Sequence, residues 1–291
     1  MTKVNPETHP SASLGAAGFL VPDDLVKAFE RDGFIIHDFA FDPALIEACA
    51  LATKAMAGQS IRVQNLWRKN KAVKSLGAHP DVLAFLEGLY GRSAFPFQTL
   101  NFLVGTQQAT HADTIHFDSE PPHFMCGVWV ALEDITPSNG PLFYFPGSHN
   151  RPVASLADIQ ANADVNKLDN IGDNIVAYFA KAETQFSRKT AVMKKGEAVI
   201  WAANVLHGGS PVKDPMSTRL SQVTHYYFDG CNYTAPINTA LGGKRHLRHP
   251  YDFARGRFVW GEKDGKRIWP GLRNFAAERI NTWLKRTPRF K

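Results

Sequence analysis

At 291 residues, of which 44% are hydrophobic and 11% aromatic, the chain is long enough for a substantial core in one large domain or two small ones. Its formal net charge is +6. No apolar run approaches the roughly 20 residues that a membrane span requires, and no secretory signal is evident at the N-terminus. Three cysteines (Cys49, Cys126 and Cys231) without C-x-x-C spacing favour reduced thiols over a disulfide framework or a zinc knuckle, so we expect a cytoplasmic protein.

The first third of the chain has helical patterns. Residues 1–20 are rich in Pro, Ser, Ala and Gly, which predicts a loose N-terminal arm. Acidic residues near a helix start, a proline at the first helical position and a glycine after the last one are typical helix-end signals. They predict three helices: one beginning at Pro22, one from Asp42-Pro43 to about Ala57, and one from about Pro80 to Tyr90, which Gly91 ends.

From Phe95 onward the pattern changes to β. About eight short segments are rich in Val, Phe, Tyr, Trp and Thr and are separated by turn signals; they lie near 97–104, 110–118, 124–133, 142–145, 190–193, 197–201, 204–207 and 219–228. This number of strands predicts a mainly β protein with flanking helices, a cupin-like jelly roll or double-stranded β-helix whose interior can hold a metal and a small ligand. We expect residues 21–291 to form a single domain of this kind.

Two segments fall outside the strand pattern. Residues 150–189 form a long polar connection, and a connection of this length inside a compact domain is usually functional, so it predicts a lid-like insertion. Residues 274–286 read as a closing amphipathic helix.

Two His-x-Asp pairs lie in one strand-like run, His111 with Asp113 and His116 with Asp118. Residues i and i+2 of an extended strand point to the same face, so either pair could bind one metal ion. A distant histidine such as His207 would complete a site of two histidines and one carboxylate, which is typical of Fe(II) oxygenases. Three protein ligands leave positions open for a co-substrate and dioxygen, whereas a structural site is closed.

Arg219 follows His207 in a β-rich stretch. A hairpin that carried both residues would place a permanently charged guanidinium near the metal, and this planar group matches a carboxylate with two parallel hydrogen bonds. A dicarboxylate co-substrate could therefore chelate iron at one end and pair with Arg219 at the other.

The ordered series of motifs resembles the phytanoyl-CoA dioxygenase (PhyH) family of Fe(II)- and 2-oxoglutarate-dependent oxygenases. The resemblance extends from Phe29-Glu30-Arg31-Asp32-Gly33-Phe34 to the strand ending at Phe228. It is densest in four segments, which are His111–Phe117, Cys126–Ile135, Asn139-Gly140-Pro141-Leu142 and Pro146-Gly147-Ser148-His149.

The resemblance favours His111 and Asp113 over His116 and Asp118 as iron ligands, with His207 as the third. It further implies that Arg219 anchors the distal carboxylate of 2-oxoglutarate and that the co-substrate pocket is lined by Gln98, Trp129 and Ser221. Trp129 can equally be a core residue, and the remaining histidines, His225 among them, are interpreted as structural or exposed. Ala112 stands where a glutamine is common in the family, so one polar contact to the co-substrate is either missing or supplied by another residue.

By this resemblance the protein is an enzyme with Fe(II), 2-oxoglutarate and dioxygen. It would hydroxylate an unactivated C–H of a small-molecule substrate and release succinate and CO2, although desaturation, ring formation or oxidative demethylation could use the same site. The alternative from another class is a noncatalytic cupin-like protein that binds a metal or a small molecule. Halogenation is disfavoured because Asp113 occupies the position that a chloride would need.

Basic residues crowd the last fifth of the chain, beginning with Lys244, Arg245, Arg248, Arg255 and Arg257. Such a region either steers an acidic substrate toward a cleft or forms a solvated surface. No recognised nucleic-acid motif accompanies it, so we expect a small-molecule partner and no nucleic acid.

Overall fold

The computed structural model describes residues 21–56, 60–161, 171–238 and 246–284, so the expected arm at 1–20 lies outside the described residues. Its α-helices are α1 Asp23–Asp32, α2 Pro43–Lys54, α3 Lys71–Gly77, α4 Pro80–Tyr90, α5 Leu156–Ala161, α6 Ile171–Glu183 and α7 Leu272–Leu284. Its strands are β1 Phe34–Asp38, β2 Arg62–Gln64, β3 Ala94–Phe102, β4 Asp118–Glu120, β5 Met125–Ala131, β6 Leu142–Tyr144, β7 Lys189–Thr190, β8 Glu197–Ala202, β9 His207–Gly209, β10 Ser221–Phe228, β11 Asn232–Thr234, β12 Tyr251–Asp252, β13 Arg257–Phe258, β14 Gly261–Lys263 and β15 Lys266–Ile268.

Two antiparallel sheets form the body of the fold. The major sheet has the order β1-β8-β5-β10-β3-β2, and a smaller sheet has the order β7-β6-β9. His111 pairs with His207 of β9 in an isolated bridge, which attaches the 110–113 segment to the smaller sheet. This arrangement confirms the predicted mainly β fold with flanking helices.

The alternation of side chains along β10 separates the helical layer from the interior of the barrel. Gln222 and Tyr226 donate hydrogen bonds to carbonyl oxygens of α3, at 3.0 Å and 2.9 Å. Val223 and His225 point to the opposite face and line an internal cavity. The helices therefore cover the outside of the major sheet and leave its inner face for the functional site.

Local signals account for the helix ends. The Asp42 carboxylate accepts a hydrogen bond from the Ala44 backbone N–H at 2.9 Å, and Gly91 ends α4 in the left-handed conformation with φ 67°. The short helix α3 was not predicted from the sequence; Asn70 caps it by accepting from the Val73 N–H at 3.1 Å. No helix among the described residues is both long and apolar enough to cross a membrane.

The prediction of a strand over 110–118 is wrong after Ala112. Ala112 is extended, with φ −120° and ψ 139°, but a 3₁₀ turn follows at Asp113–Ile115 because the backbone N–H groups of His116 and Phe117 both donate to the Asp113 carbonyl. The extended Ala112 still places His111 and Asp113 on one side. The turn then redirects the chain before β4 begins at Asp118.

The described part of 150–189 packs behind the 110–115 segment. Phe179 and Ala182 of α6 form a cluster with Ala112 and Leu206, and Ile159 of α5 packs with Ile115. None of the described residues of this segment lines the cavity. Closure of the segment over a substrate stays a prediction.

Gly127 lies directly against the indole of Trp201, a side chain that also lines the cavity. A Cβ at this position would overlap the six-membered ring of the Trp201 indole, which lies on the neighbouring strand β8. We expect Gly127→Ala to lower the free energy of unfolding by about 1–3 kcal/mol, because the buried indole must shift. Chemical denaturation measures this loss.

Trp201→Phe provides the control for that interpretation. The smaller ring relieves part of the overlap, so the double variant should lose less than the sum of the two single losses. Strict additivity would show that the indole is not what Gly127 accommodates.

Candidate active site

His111, Asp113 and His207 form one compact group. The Asp113 Oδ1 lies 3.8 Å from the His111 Nε2, and the Asp113 Oδ2 lies 3.9 Å from the His207 Nε2. Each residue offers one possible ligand atom, an imidazole nitrogen or a carboxylate oxygen, and these three atoms lie within 4.8 Å of one another. Two ligand bonds of roughly 2.0–2.2 Å to one ion place their donor atoms no more than about 4.4 Å apart, so the separations of 3.8 Å and 3.9 Å are compatible with a shared ion.

Backbone carbonyl groups orient both imidazoles. The His111 Nδ1 lies 2.9 Å from the Ala109 oxygen, and the His207 Nδ1 lies 3.0 Å from the Val205 oxygen. A carbonyl can only accept, so each Nδ1 carries the proton and each Nε2 presents a lone pair to the site. Burial also lowers the pKa of His111 to about 3, which keeps that ring neutral as a metal ligand requires.

Asp113 carries the negative charge of the group. It is 6% exposed, and the Trp201 indole donates to its Oδ2 at 2.9 Å. Burial works against the charge, but His207, His225, His111 and the indole hydrogen bond together lower the pKa of Asp113 to about 2. The carboxylate is therefore ionised at neutral pH.

Arg219 is a second buried charge in the same cavity. It is 3% exposed, and its guanidinium lies 5.4 Å from the Phe102 ring centre and 5.2 Å from that of Trp129. Its Nη1 donates to the Gly140 carbonyl at 3.1 Å, while no carboxylate of the described residues pairs with it. Burial lowers the pKa of Arg219 to about 10, so the group is still charged at neutral pH.

A cavity of about 220 Å³ joins the two charged groups. Among the sequence-predicted residues, the triad, Arg219, Gln98 and Trp129 all line it. Ser221 does not; it is fully buried, and its hydroxyl donates to the Arg219 carbonyl at 3.4 Å.

His207 and Arg219 do not share a hairpin. β9 belongs to the smaller sheet and pairs with β6, whereas β10 pairs with β3 and β5 in the major sheet. Arg219 lies two residues before the start of β10. The two residues therefore reach the cavity from opposite sheets.

His225 belongs to the site, although the sequence predicts a structural or exposed histidine at this position. It lines the cavity, its Nε2 lies 3.7 Å from the Asp113 Oδ2, and its Nδ1 lies 2.9 Å from the Gln98 Oε1. Burial lowers its pKa to about 4. Its even spacing from Arg219 along the strand could have identified it, because residues two, four and six positions apart share a strand face.

His116 also lines the cavity, but neither it nor Asp118 belongs to the compact group around Asp113. In a regular strand His116 would have pointed away from His111. The 3₁₀ turn at Asp113–Ile115 instead brings its ring to the cavity wall.

The basic C-terminal residues have separate environments. Lys244 and Arg245 lie outside the described residues, Arg255 forms ion pairs with Asp229 and Asp252, and Arg257 is exposed on β13. Among the described ones, Arg248 packs against the cavity wall, with its guanidinium 4.9 Å from the centre of the Phe117 ring.

Several solved structures share this fold. The structure of EctD from S. alaskensis with bound Fe has a TM-score of 0.62 at 19% identity, over 92% of this chain and 93% of that chain. The epimerase SnoN in complex with Fe³⁺, alpha ketoglutarate and nogalamycin RO has a TM-score of 0.60 at 21% identity, over 75% of this chain and 87% of that chain. These similarities confirm the predicted jelly-roll fold.

Sequence comparisons identify the family. The mouse phytanoyl-CoA dioxygenase domain-containing protein 1 is 30% identical over 136 residues, which are 47% of this chain and 37% of the relative. The ectoine dioxygenase of Stutzerimonas stutzeri is 23% identical over 213 residues, 64% of this chain and 70% of the relative. The chain thus spans less than half the length of the mouse relative. Because the model of the phytanoyl-CoA dioxygenase (PhyH) family matches residues 59–218, more than half of the sequence, the chain belongs to this family.

Proposed function

We propose that the protein is an Fe(II)- and 2-oxoglutarate-dependent dioxygenase. The observation that carries the proposal is the buried charge of Arg219, which has no carboxylate partner among the described residues and shares a cavity with the His111, Asp113 and His207 group. A buried unpaired cation is unfavourable unless a ligand supplies the anion. 2-Oxoglutarate has a carboxylate for each end of the cavity.

The residues fit both groups. His111, Asp113 and His207 offer two imidazole nitrogens and one carboxylate oxygen, the donor set of non-haem Fe(II) oxygenases. Arg219, held between Phe102 and Trp129, would bind the distal carboxylate. Ser221 would act through the backbone of Arg219 rather than touch the co-substrate.

Bound Fe(II) and 2-oxoglutarate supply the oxidising chemistry: one oxygen atom of O₂ enters the substrate C–H bond, the other enters succinate, and CO2 is released. The side chains bind, orient and exclude water. Phe117, Leu142 and Val223 give the cavity apolar walls that suit a hydrocarbon part of a substrate. We propose hydroxylation of a small molecule, in keeping with the relative named ectoine dioxygenase.

The noncatalytic alternative fits the site less well. A protein that only binds a metal does not require an open side at the ion or an anchor for a second carboxylate. In the structure the Gln108 amide donates to the His111 Nε2 at 3.2 Å at the cavity wall; a metal ion on that nitrogen would displace the amide, which could then supply the polar contact that Ala112 cannot.

The metal assignment predicts a contrast between two histidines. His111→Ala should weaken Mn(II) binding, measured by calorimetry without oxygen, by at least about 100-fold. The loss of a side chain that binds the metal directly should exceed the 10- to 100-fold loss typical of groups that only hydrogen-bond to a metal ligand. His116→Ala should change it little. If His116→Ala lost the metal while His111→Ala kept it, the choice of ligand pair would be wrong.

The co-substrate assignment predicts separate effects on binding and stability. Arg219→Gln should raise the Kd of 2-oxoglutarate by about 100-fold through lost charge-assisted hydrogen bonds, and Arg219→Lys should restore only part. The ligand-free variant should be no less stable in thermal unfolding, because an unpaired buried charge has been removed.

Arg257→Gln is the matched control, since Arg257 is exposed and does not line the cavity. It should leave both quantities unchanged. Destabilisation of Arg219→Gln with unchanged 2-oxoglutarate affinity would mean that Arg219 has a structural role instead.

The activity itself is tested by succinate formation from 2-oxoglutarate under oxygen. Iron-loaded protein should produce succinate slowly alone and faster with a substrate, and Asp113→Ala should produce none. Protein that binds Fe(II) and 2-oxoglutarate yet forms no succinate with any of a broad set of acids, amino acids and acyl thioesters would favour the noncatalytic alternative.

A further inference from the structure

The two oxygens of the Asp113 carboxylate have different surroundings. Oδ2 accepts a hydrogen bond from the Trp201 indole N–H at 2.9 Å. Oδ1 accepts no hydrogen bond from the described residues, and the His111 Nε2 lies 3.8 Å from it. An indole nitrogen can only donate, so the direction of the bond to Oδ2 does not depend on a tautomer. One oxygen is therefore held by the protein, and the other is free.

The major sheet fixes the donor of this hydrogen bond. Strand β8 lies between β1 and β5, and Trp201 pairs with Phe34 on one side and with Gly127 on the other. The indole lies against Gly127, where a Cβ would overlap it, and only 3% of the residue is exposed. The ring cannot leave this position without displacing a neighbouring strand.

The acceptor is fixed to the same part of the chain. In the 3₁₀ turn at Asp113–Ile115, the Thr114 backbone N–H donates to the Ala203 carbonyl at 3.3 Å. The Thr114 hydroxyl donates to the Asn204 Oδ1 at 3.2 Å. Ala203 and Asn204 directly follow β8, the strand that carries Trp201. Both ends of the hydrogen bond are thus held in place by the protein alone.

A carboxylate can bind a metal ion through one oxygen or through both. The indole N–H stabilises negative charge on Oδ2 and competes with a metal for that oxygen, which leaves Oδ1 as the available ligand atom. Together with two imidazoles, a carboxylate that binds through one oxygen takes three coordination positions, whereas binding through both takes a fourth. A site of two histidines and one carboxylate functions through the positions that it leaves open.

We infer that Trp201 is a positioning residue: its indole N–H holds Oδ2, so that Asp113 binds the metal through Oδ1 alone and a further coordination position stays open for 2-oxoglutarate. This inference rests on the proposed function. The competing interpretation is that the indole only fills space between the strands. The two interpretations differ in whether the N–H group or the ring volume matters, so the test removes the first and keeps the second.

The test records infrared difference spectra between Mn(II)-loaded and metal-free protein without oxygen. The separation between the antisymmetric and symmetric carboxylate stretching bands is wide when one oxygen binds a metal and narrow when both do. Labelling aspartate with ¹³C at the carboxylate and the variant Asp113→Asn assign the bands to this residue. The wild type should show the wide separation.

Two replacements of Trp201 separate the N–H group from the ring. 3-Benzothienylalanine keeps the fused ring but has sulfur in place of the N–H, and Trp201→Phe removes both the N–H and part of the volume. Each should narrow the band separation and weaken Mn(II) binding by about 10- to 100-fold, the loss typical when the hydrogen-bond partner of a metal ligand is removed. The analogue keeps the test decisive if the smaller Phe ring lowers the stability of the fold.

Trp67→Phe is the matched control. The Trp67 indole also donates to a side-chain oxygen, the Asn65 Oδ1 at 3.1 Å, but it does not line the cavity. Trp67→Phe should leave both the band separation and the Mn(II) affinity as they are in the wild type.

The outcomes separate this inference from the proposed function. A narrow band separation in the wild type would overturn the inference. A wide separation with unchanged Mn(II) affinity in the benzothienyl protein would also overturn it, because the ring alone would then suffice. Calorimetry of 2-oxoglutarate on the Mn(II)-loaded wild type tests the proposed function: failure to bind would overturn that proposal, whatever the infrared bands show. A wild type that binds no Mn(II) would overturn both.

Discussion

Asp113 and Arg219 are buried charges of opposite sign that line one cavity without pairing with each other. Neutral groups accommodate each of them: imidazoles and the Trp201 indole surround the carboxylate, and aromatic rings flank the guanidinium. Burying either charge without a full partner costs free energy. A divalent cation beside the carboxylate and a dianion that reaches the guanidinium would compensate both charges at once.

The jelly roll keeps these two charges apart and fixes their surroundings. The smaller sheet supplies His207 and, through an isolated bridge, His111; the major sheet supplies Trp129 and His225. Next to His111 in the chain, the Thr110 hydroxyl donates a hydrogen bond to the Glu183 carboxylate at the end of α6. The described part of the 150–189 connection thus supports the 110–113 segment from outside the cavity.

The residues of the site that can be predicted from the sequence are those whose relative placement depends only on local backbone geometry. The His111-x-Asp113 spacing needs only one extended residue between the ligands, and Ala112 provides it even though the predicted strand ends there. The positions of His116 and His225 were not predictable in this way. His116 reaches the cavity through a 3₁₀ turn, and the backbone hydrogen bonds of such a turn do not require particular residue types that the sequence would show. His225 is a lone histidine in an apolar strand, and such a residue is usually interpreted as part of the core.

The edge strand β2 of the major sheet carries a charged side chain beside the cavity. β2 is an edge strand of only three residues, so beyond it the sheet offers no further strand to close the barrel. An edge strand must avoid pairing with other chains, and a charged side chain such as Arg62 serves that purpose. The same side chain lines the cavity. The edge of the major sheet at β2 is thereby one of the places where the wall of the cavity reaches solvent, so the short edge strand relates the end of the sheet to access to the cavity.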